Sequence, residues 1–384
     1  MRILATIIAA GLAGSTASAD VPPPPVIVSQ ANDPANTVLM DPQVETTCGG
    51  EAVLPVYSED LPPLSGMNPT SETTDVFLFS VASDGRVLDV RPEIGDGFAG
   101  AYVIRAGRQQ VQANLAAWRF EGARADCRLT VRYLPTPLAS ADPSLLMRYY
   151  AVTRDTGPVR EAVAQRLSGA RGDCMGPDRP RLRRRTLSFP DFSIGERLSP
   201  GGYAWTVVRW DVGPDGRSHH VETLGSSGDA AFDAETRRAA ADSTSQPGEG
   251  AIGCVHNFFR TGPALPAPPL PDLPEDPLRN CPESISERLI AVRDQPYPEA
   301  FRRRSVEGWA TVRFDLATWG ETGNVEVVEA QPAAAFGDMA RNLVRQRRAA
   351  PSPSAGVRCV TRVQYRLADD SKAVAEDSDA MRGD

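Results

Sequence analysis

The chain runs through one order of apolar and polar positions three times. Nearest the end, Trp309 to Leu316 alternates around Val312, Phe314 and Leu316, and Asn324 to Val328 alternates again after a turn read at Gly320-Glu321-Thr322-Gly323. Period-two alternation on both sides of a glycine turn predicts a β-hairpin. Phe336, Ala340, Leu343 and Val344 then recur at helical spacing, and Pro351 and Pro353 stop that helix. A last strand places Val357, Cys359, Thr361, Val363, Tyr365 and Leu367 on one face, with Arg358, Arg362, Gln364 and Arg366 on the other.

The middle of the chain repeats this order. Val208-Arg209-Trp210-Asp211 matches Val312-Arg313-Phe314-Asp315, Asp215-Gly216 supplies the turn, Phe232 to Ala241 a helix, and Cys254 to Phe259 the last strand. The first part repeats it again. Phe77, Phe79 and Val81 alternate, Asp84-Gly85 turns, and Val87 to Val90 returns. A helical pattern follows through Val111, Leu115 and Trp118, and Cys127 to Leu134 closes the copy. The predicted fold is α+β: three tandem modules, each a three-stranded antiparallel sheet packed on one helix.

The six cysteines keep the same beat. Pairs Cys48 and Cys127, Cys174 and Cys254, and Cys281 and Cys359 lie 79, 80 and 78 residues apart. Each copy has one cysteine before its core and one in its last strand, which predicts the disulfides Cys48–Cys127, Cys174–Cys254 and Cys281–Cys359. Each bridge would stabilise its copy by about 4–5 kcal/mol through loop closure, a large amount for a module with a thin core. The competing reading is buried free thiols. A zinc site is not expected, because no C-x-x-C pair occurs.

Composition sets the boundaries and the compartment. Arg2, the apolar stretch Ile3 to Gly14 and Ala17-Ser18-Ala19 form a signal-peptide pattern, with cleavage expected after Ala19. Disulfides fit the oxidising periplasm that this export implies. Residues 20–45 read as a Pro-rich N-terminal linker, 46–135 as module 1, 136–172 as a helical connector broken at Gly157-Pro158, and 173–262 as module 2. Residues 263–278 read as a second Pro-rich linker, 279–368 as module 3, and 369–384 as a disordered acidic tail. The connector is expected to pack modules 1 and 2 together, and module 3 to stand apart beyond its linker.

Residues Gln295 to Leu367 resemble the TonB C-terminal domain family. The resemblance is carried by Gln295-Pro296-Tyr297-Pro298, Val306-Glu307-Gly308, Val312-Arg313-Phe314-Asp315, Glu329-Ala330-Gln331-Pro332 with Phe336, and Val363 to Leu367. The upstream copies share the pattern more loosely, with Phe189-Pro190 standing where Tyr297-Pro298 does, so the chain reads as three TonB C-terminal-like modules. Arg347 and Ala349 stand where the family usually has aromatics. The resemblance implies a non-enzymatic energy-transducer-like protein, whose last strand pairs with a short segment of an outer-membrane receptor or other envelope protein in support of transport. It places partner contacts on Gln295, Tyr297, Arg358, Val360, Arg362, Gln364 and Arg366. An edge strand serves this role because it offers unpaired backbone groups. A second reading is a true energy transducer that keeps residues 3–14 as a membrane anchor. A third is an envelope enzyme without a recognisable motif.

Charge and motifs narrow the field. The net charge of −8 argues against a nucleic-acid partner. Only three histidines occur, His219, His220 and His256, and neither H-E-x-x-H nor G-x-S-x-G is present. Neighbours in a strand point to opposite faces, so His219-His220 is not expected to bind metal. No cofactor is expected. Two basic runs, Arg179 to Arg185 and Phe301-Arg302-Arg303-Arg304, are candidates for contact with acidic headgroups or receptor carboxylates, against the plainer reading of a solvated arginine-rich surface.

Overall fold

The computed structural model describes residues 37–67, 71–93, 102–153, 157–175, 186–273, 281, 296–351 and 357–367. The signal peptide, the start of the first linker, the acidic tail, the run Arg179 to Arg185 and Gln295 lie outside the described residues.

The hairpin–helix–strand order is present three times. Copy 1 contains β4 (Thr73–Val81), β5 (Val87–Pro92), α1 (Tyr102–Ala117) and β6 (Arg124–Pro137). Copy 2 contains β7 (Tyr203–Val212), β8 (Ser218–Ser226), α4 (Ala230–Asp242) and β9 (Ala251–Thr261). Copy 3 contains β10 (Gly308–Leu316), β11 (Thr322–Gln331), α6 (Ala334–Gln346) and β12 (Val357–Tyr365). In each copy the first hairpin strand is central, flanked by the second and last strands. The central aromatics Phe79, Trp210 and Phe314 lie directly opposite Cys127, Cys254 and Cys359, and all three are buried. The bridges Cys48–Cys127, Cys174–Cys254 and Cys281–Cys359 are closed.

The hairpin turns repeat down to single hydrogen bonds. Gly85, Gly216 and Gly320 have positive φ, and each accepts a backbone bond from the segment after its helix, at Phe120, Ser245 and Ala349. This corrects the turn expected at Gly320 to Gly323. The chain reverses at Ala317 to Gly320, and Gly323 already lies in β11. A Cβ on Gly320 would sit 1.9 Å from the Ala349 carbonyl oxygen. Gly320→Ala is therefore expected to cost on the order of 2 kcal/mol, read as a lower urea midpoint of the oxidised chain. An unchanged midpoint would mean that this turn gives way easily.

Copy 1 is larger than expected, because part of the first linker is a strand. β1 (Thr37–Cys48) pairs antiparallel along β6, from Val38 opposite Pro137 to Cys48 opposite Cys127. Outside it lie β2 (Glu51–Ala52) and β3 (Leu64–Met67), giving a six-stranded sheet. Pro42 hides this strand from a composition-based reading. It sits where β1 carries neither β2 nor β3 on its outer side, so its missing N–H breaks no ladder there.

The connector forms α2 (Pro143–Val152) and α3 (Pro158–Ser168). Leu145, Leu146, Tyr149, Val163 and Leu167 pack on Tyr203, Trp205, Val207 and Val255 of copy 2, together with Leu39 and Leu138 of copy 1. The other face of the copy 2 sheet is filled by Phe232, Ala239 and Ala240 of α4. Burial on both faces explains why β7 is apolar almost continuously rather than in alternation.

Copy 3 does not stand apart. Its core is continuous with that of copy 1, running from Phe77, Leu115 and Trp118 to Phe301, Phe314 and Phe336. The edge of β5 is stapled to copy 3: Val90 N–H donates to the Pro332 carbonyl (2.9 Å), and Asp89 N–H to Gln331 Oε1 (3.1 Å). The second proline-rich stretch is also bound down. Leu265 N–H donates to Ser305, Glu307 N–H to Leu265, and the Trp309 indole to Pro268. These contacts join residues far apart in sequence, where no local periodicity reports them.

Candidate functional site

The last strand of each copy is treated differently. β6 is covered along its outer edge by β1. β9 is braced by the connector and the segment that follows it: the Tyr150 hydroxyl donates to the Val255 carbonyl, Asn257 Nδ2 to the Ala151 carbonyl, and the Asp173 and Cys174 N–H groups to Ile252. β12 has β10 as its single strand neighbour among the described residues. Cys359, Val363 and Tyr365 face α6 and the shared core.

The residues expected to contact a partner are not equally available. Tyr297 is held inside an aromatic cluster, edge-on to Tyr365 (5.6 Å) and Phe336 (6.0 Å), with its hydroxyl donating to the Val306 carbonyl at 2.6 Å. Val360 is 5% exposed, so it is a packing residue rather than a contact surface. Arg358 lies opposite Asp315 on β10. Arg362 lies over the Trp309 ring at 5.2 Å and donates to Thr311 Oγ1 at 3.3 Å. Gln364 and Arg366 are exposed, and Arg366 donates to Gln364 Oε1. Leu367 N–H donates to Glu307 Oε1 at 2.9 Å, which ties the end of β12 to the Val306-Glu307-Gly308 element. Among the described residues, the exposed side chains of the predicted set are thus Gln364 and Arg366, at the end of β12.

Two groups beside β12 escaped the sequence reading. The Tyr365 hydroxyl is buried without a hydrogen-bond partner. Burial pushes its pKa up, and the nearby Arg347 charge opposes that shift. Arg347 is half-buried just past α6, and its Nε has no partner. The signal was present in the sequence, where Arg347 occupies a place expected to be aromatic.

The second basic run is mostly structural, which corrects its reading as a solvated or lipid-facing patch. Phe301 is core, and it belongs to the short helix α5 (Glu299–Arg302). Arg302 pairs with Glu299 on the surface, and Arg303 donates to the Val152 carbonyl of α2. Arg304 is 5% exposed; it bonds Glu59 and Asn114 of copy 1 and stacks on Tyr203 of copy 2 at 4.6 Å. Glu59 also accepts the Tyr203 N–H at 2.7 Å. Arg304 is therefore the pin that joins all three copies.

A cavity of about 400 Å³ lies beside this pin, lined by Tyr57, Glu59, Asp60, Glu196, Trp205 and Asp229. Two of its four carboxylates, Glu59 and Asp229, are committed to structure. Glu59 pairs with Arg304, and Asp229 pairs with Arg260 while capping α4 through the Phe232 N–H. Despite the cost of burial, hydrogen bonds from Phe232, Arg260 and Glu196 hold the Asp229 carboxyl below the usual carboxylate range, the wrong direction for a general acid. His219 and His220 are exposed and lie beside Asp215 and Asp211, respectively. Among the described residues no cluster of three or more metal-binding side chains occurs, and no helix is long and apolar enough to cross a membrane.

No curated protein matches the chain. The family model described as Gram-negative bacterial TonB protein C-terminal matches residues 293–367, so the third copy, with β12 at its edge, is similar to the C-terminal domain of Gram-negative TonB proteins.

Proposed function

We propose that this chain is a TonB-like envelope protein of the periplasm, without enzymatic activity, that accepts an extended segment of an outer-membrane receptor or other envelope protein along β12. The observation that carries the reading is the difference among the three last strands. β6 already holds an added strand, β9 is bonded to the connector, and β12 has, among the described residues, a strand on one side. Strand addition supplies main-chain hydrogen bonds and needs little side-chain complementarity. Copies 1 and 2 serve as a rigid mount: the Arg304 pin and the Val90–Pro332 staple fix copy 3 against them. The similarity of residues 293–367 to a Gram-negative envelope domain and the three disulfides both support a periplasmic place, which fits export with cleavage after Ala19.

Hydrogen exchange on the oxidised full chain tests the reading. With a receptor-derived extended peptide added, protection is expected at residues 357–366 and unchanged at β6 and β9. Protection appearing at β9 instead, or at none of the last strands, would remove strand pairing at β12 as the function.

A further inference from the structure

Copy 3 is a basic island in an acidic chain. Residues 296–367 carry 11 arginines against 7 carboxylates, whereas the whole chain has a net charge of −8. Several of these arginines are already neutralised: Arg302 by Glu299, Arg304 by Glu59, Arg313 by Glu326, Arg341 by Asp338 and Arg348 by Glu321. Arg347, Arg362 and Arg366, on or beside β12, differ: none of them pairs with a carboxylate among the described residues. Arg362 donates to a threonine hydroxyl and a backbone carbonyl, and Arg366 to a glutamine. Arg347 has a buried Nε without an acceptor, and the Tyr365 hydroxyl, 2% exposed as a residue, has none either.

These groups flank the strand on both sides. Arg362 and Arg366 belong to the face of β12 turned away from α6. Tyr365 belongs to the face toward α6, where the Arg347 charge reaches it. A strand laid along β12 sends alternate side chains to these two faces. Its side chains would meet guanidinium groups on one face, and a guanidinium with a phenol on the other. Carboxylates satisfy both, because they accept charge-assisted hydrogen bonds from each.

We infer that the segment accepted by β12 is acidic, with carboxylates directed to Arg362 and Arg366 on one face and to Arg347 and Tyr365 on the other. This rests on the strand-pairing reading and adds the chemistry of the partner to it. Such charges steer the encounter and select the partner more than they strengthen the complex. The chain itself holds a second source of the same chemistry. Residues 368–384 carry six carboxylates against two cations, and they begin three residues after Tyr365.

The test uses two nine-residue peptides of Thr and Val that differ only in three Glu or three Gln positions, spread over both faces. Affinity is measured by fluorescence anisotropy, and location by hydrogen exchange. The Glu peptide is expected to bind about tenfold tighter at low salt, with the gap closing by about 1 M salt. Arg366→Gln should narrow that gap without disturbing the fold, since Arg366 is exposed and its one hydrogen bond among the described residues goes to Gln364; Arg347→Met should narrow it from the other face. A chain ending at Leu367 should bind the Glu peptide more tightly than the full chain if the tail's carboxylates occupy the same arginines, and equally if the acidic partner is solely external; either result supports the acidic preference. Equal affinity of both peptides, with β12 protected by each, would overturn the charge inference and leave strand pairing standing. Absence of protection on β12 with either peptide would overturn both.

Discussion

Replacing Arg304 with alanine is expected to destabilise the protein by about 3–5 kcal/mol. Arg304 and Glu59 are both nearly buried, with side chains 6% and 10% exposed. Removing the guanidinium leaves the Glu59 carboxylate in the joint among three copies, held only by the Tyr57 hydroxyl and the Tyr203 N–H. It also strips the cation from the Tyr203 ring and a donor from Asn114. The double variant Arg304→Met with Glu59→Gln separates these terms. It should lose much less than Arg304→Ala, because two neutral groups of similar volume leave no orphaned charge. Urea unfolding of the single and double variants measures the coupling. A loss under about 1 kcal/mol for Arg304→Ala would place the pair in solvent-like surroundings, and the three copies would then be joined mainly by apolar contact.

The same residue shows where sequence reading stops. Arg302, Arg303 and Arg304 are adjacent and chemically alike, yet one is a surface pair, one caps a helix and one is the pin. The partner of Arg304 lies 245 residues away, and nothing local to Arg304 reports it. Elements governed by local spacing were legible. Alternation around Phe79, Trp210 and Phe314 gave the central strands, and the even cysteine beat gave all three bridges. The turn of copy 3 was misplaced because Gly320-Glu321-Thr322-Gly323 offers two glycines, and only the Ala349 carbonyl decides between them. β1 was missed because Pro42 and the prolines before it dominate the composition, while Val38-Leu39-Met40 is too short a run to outweigh them. At the candidate site, the face pattern of β12 was readable from alternation. The burial of Val360 and the enclosure of Tyr297 by Phe336 and Tyr365 were not, because burial depends on tertiary packing that strand alternation does not report.

Reducing the three disulfides is expected to have a larger effect still. Each bridge closes a loop of about 80 residues, and the loops follow one another without overlap. Loop-closure entropy gives about 4–5 kcal/mol for one such bridge. Distant, independent sites add, so losing all three removes on the order of 13 kcal/mol, comparable with the whole stability of an ordinary domain. The geometry puts this loss at the centre of each copy. Cys127, Cys254 and Cys359 are buried beside the central aromatics on the neighbouring strand, and Cys48 also holds the end of β1 against β6. Circular dichroism in excess reductant should show loss of the sheet signal at a temperature where the oxidised chain is folded. Opening one bridge by Cys174→Ser with Cys254→Ser should lower stability by about a third of the total and leave copies 1 and 3 folded, since those two share a core that copy 2 does not enter. If the fully reduced chain melted within about 2 °C of the oxidised one, burial alone would hold the copies, and the cysteine beat would be incidental to their stability.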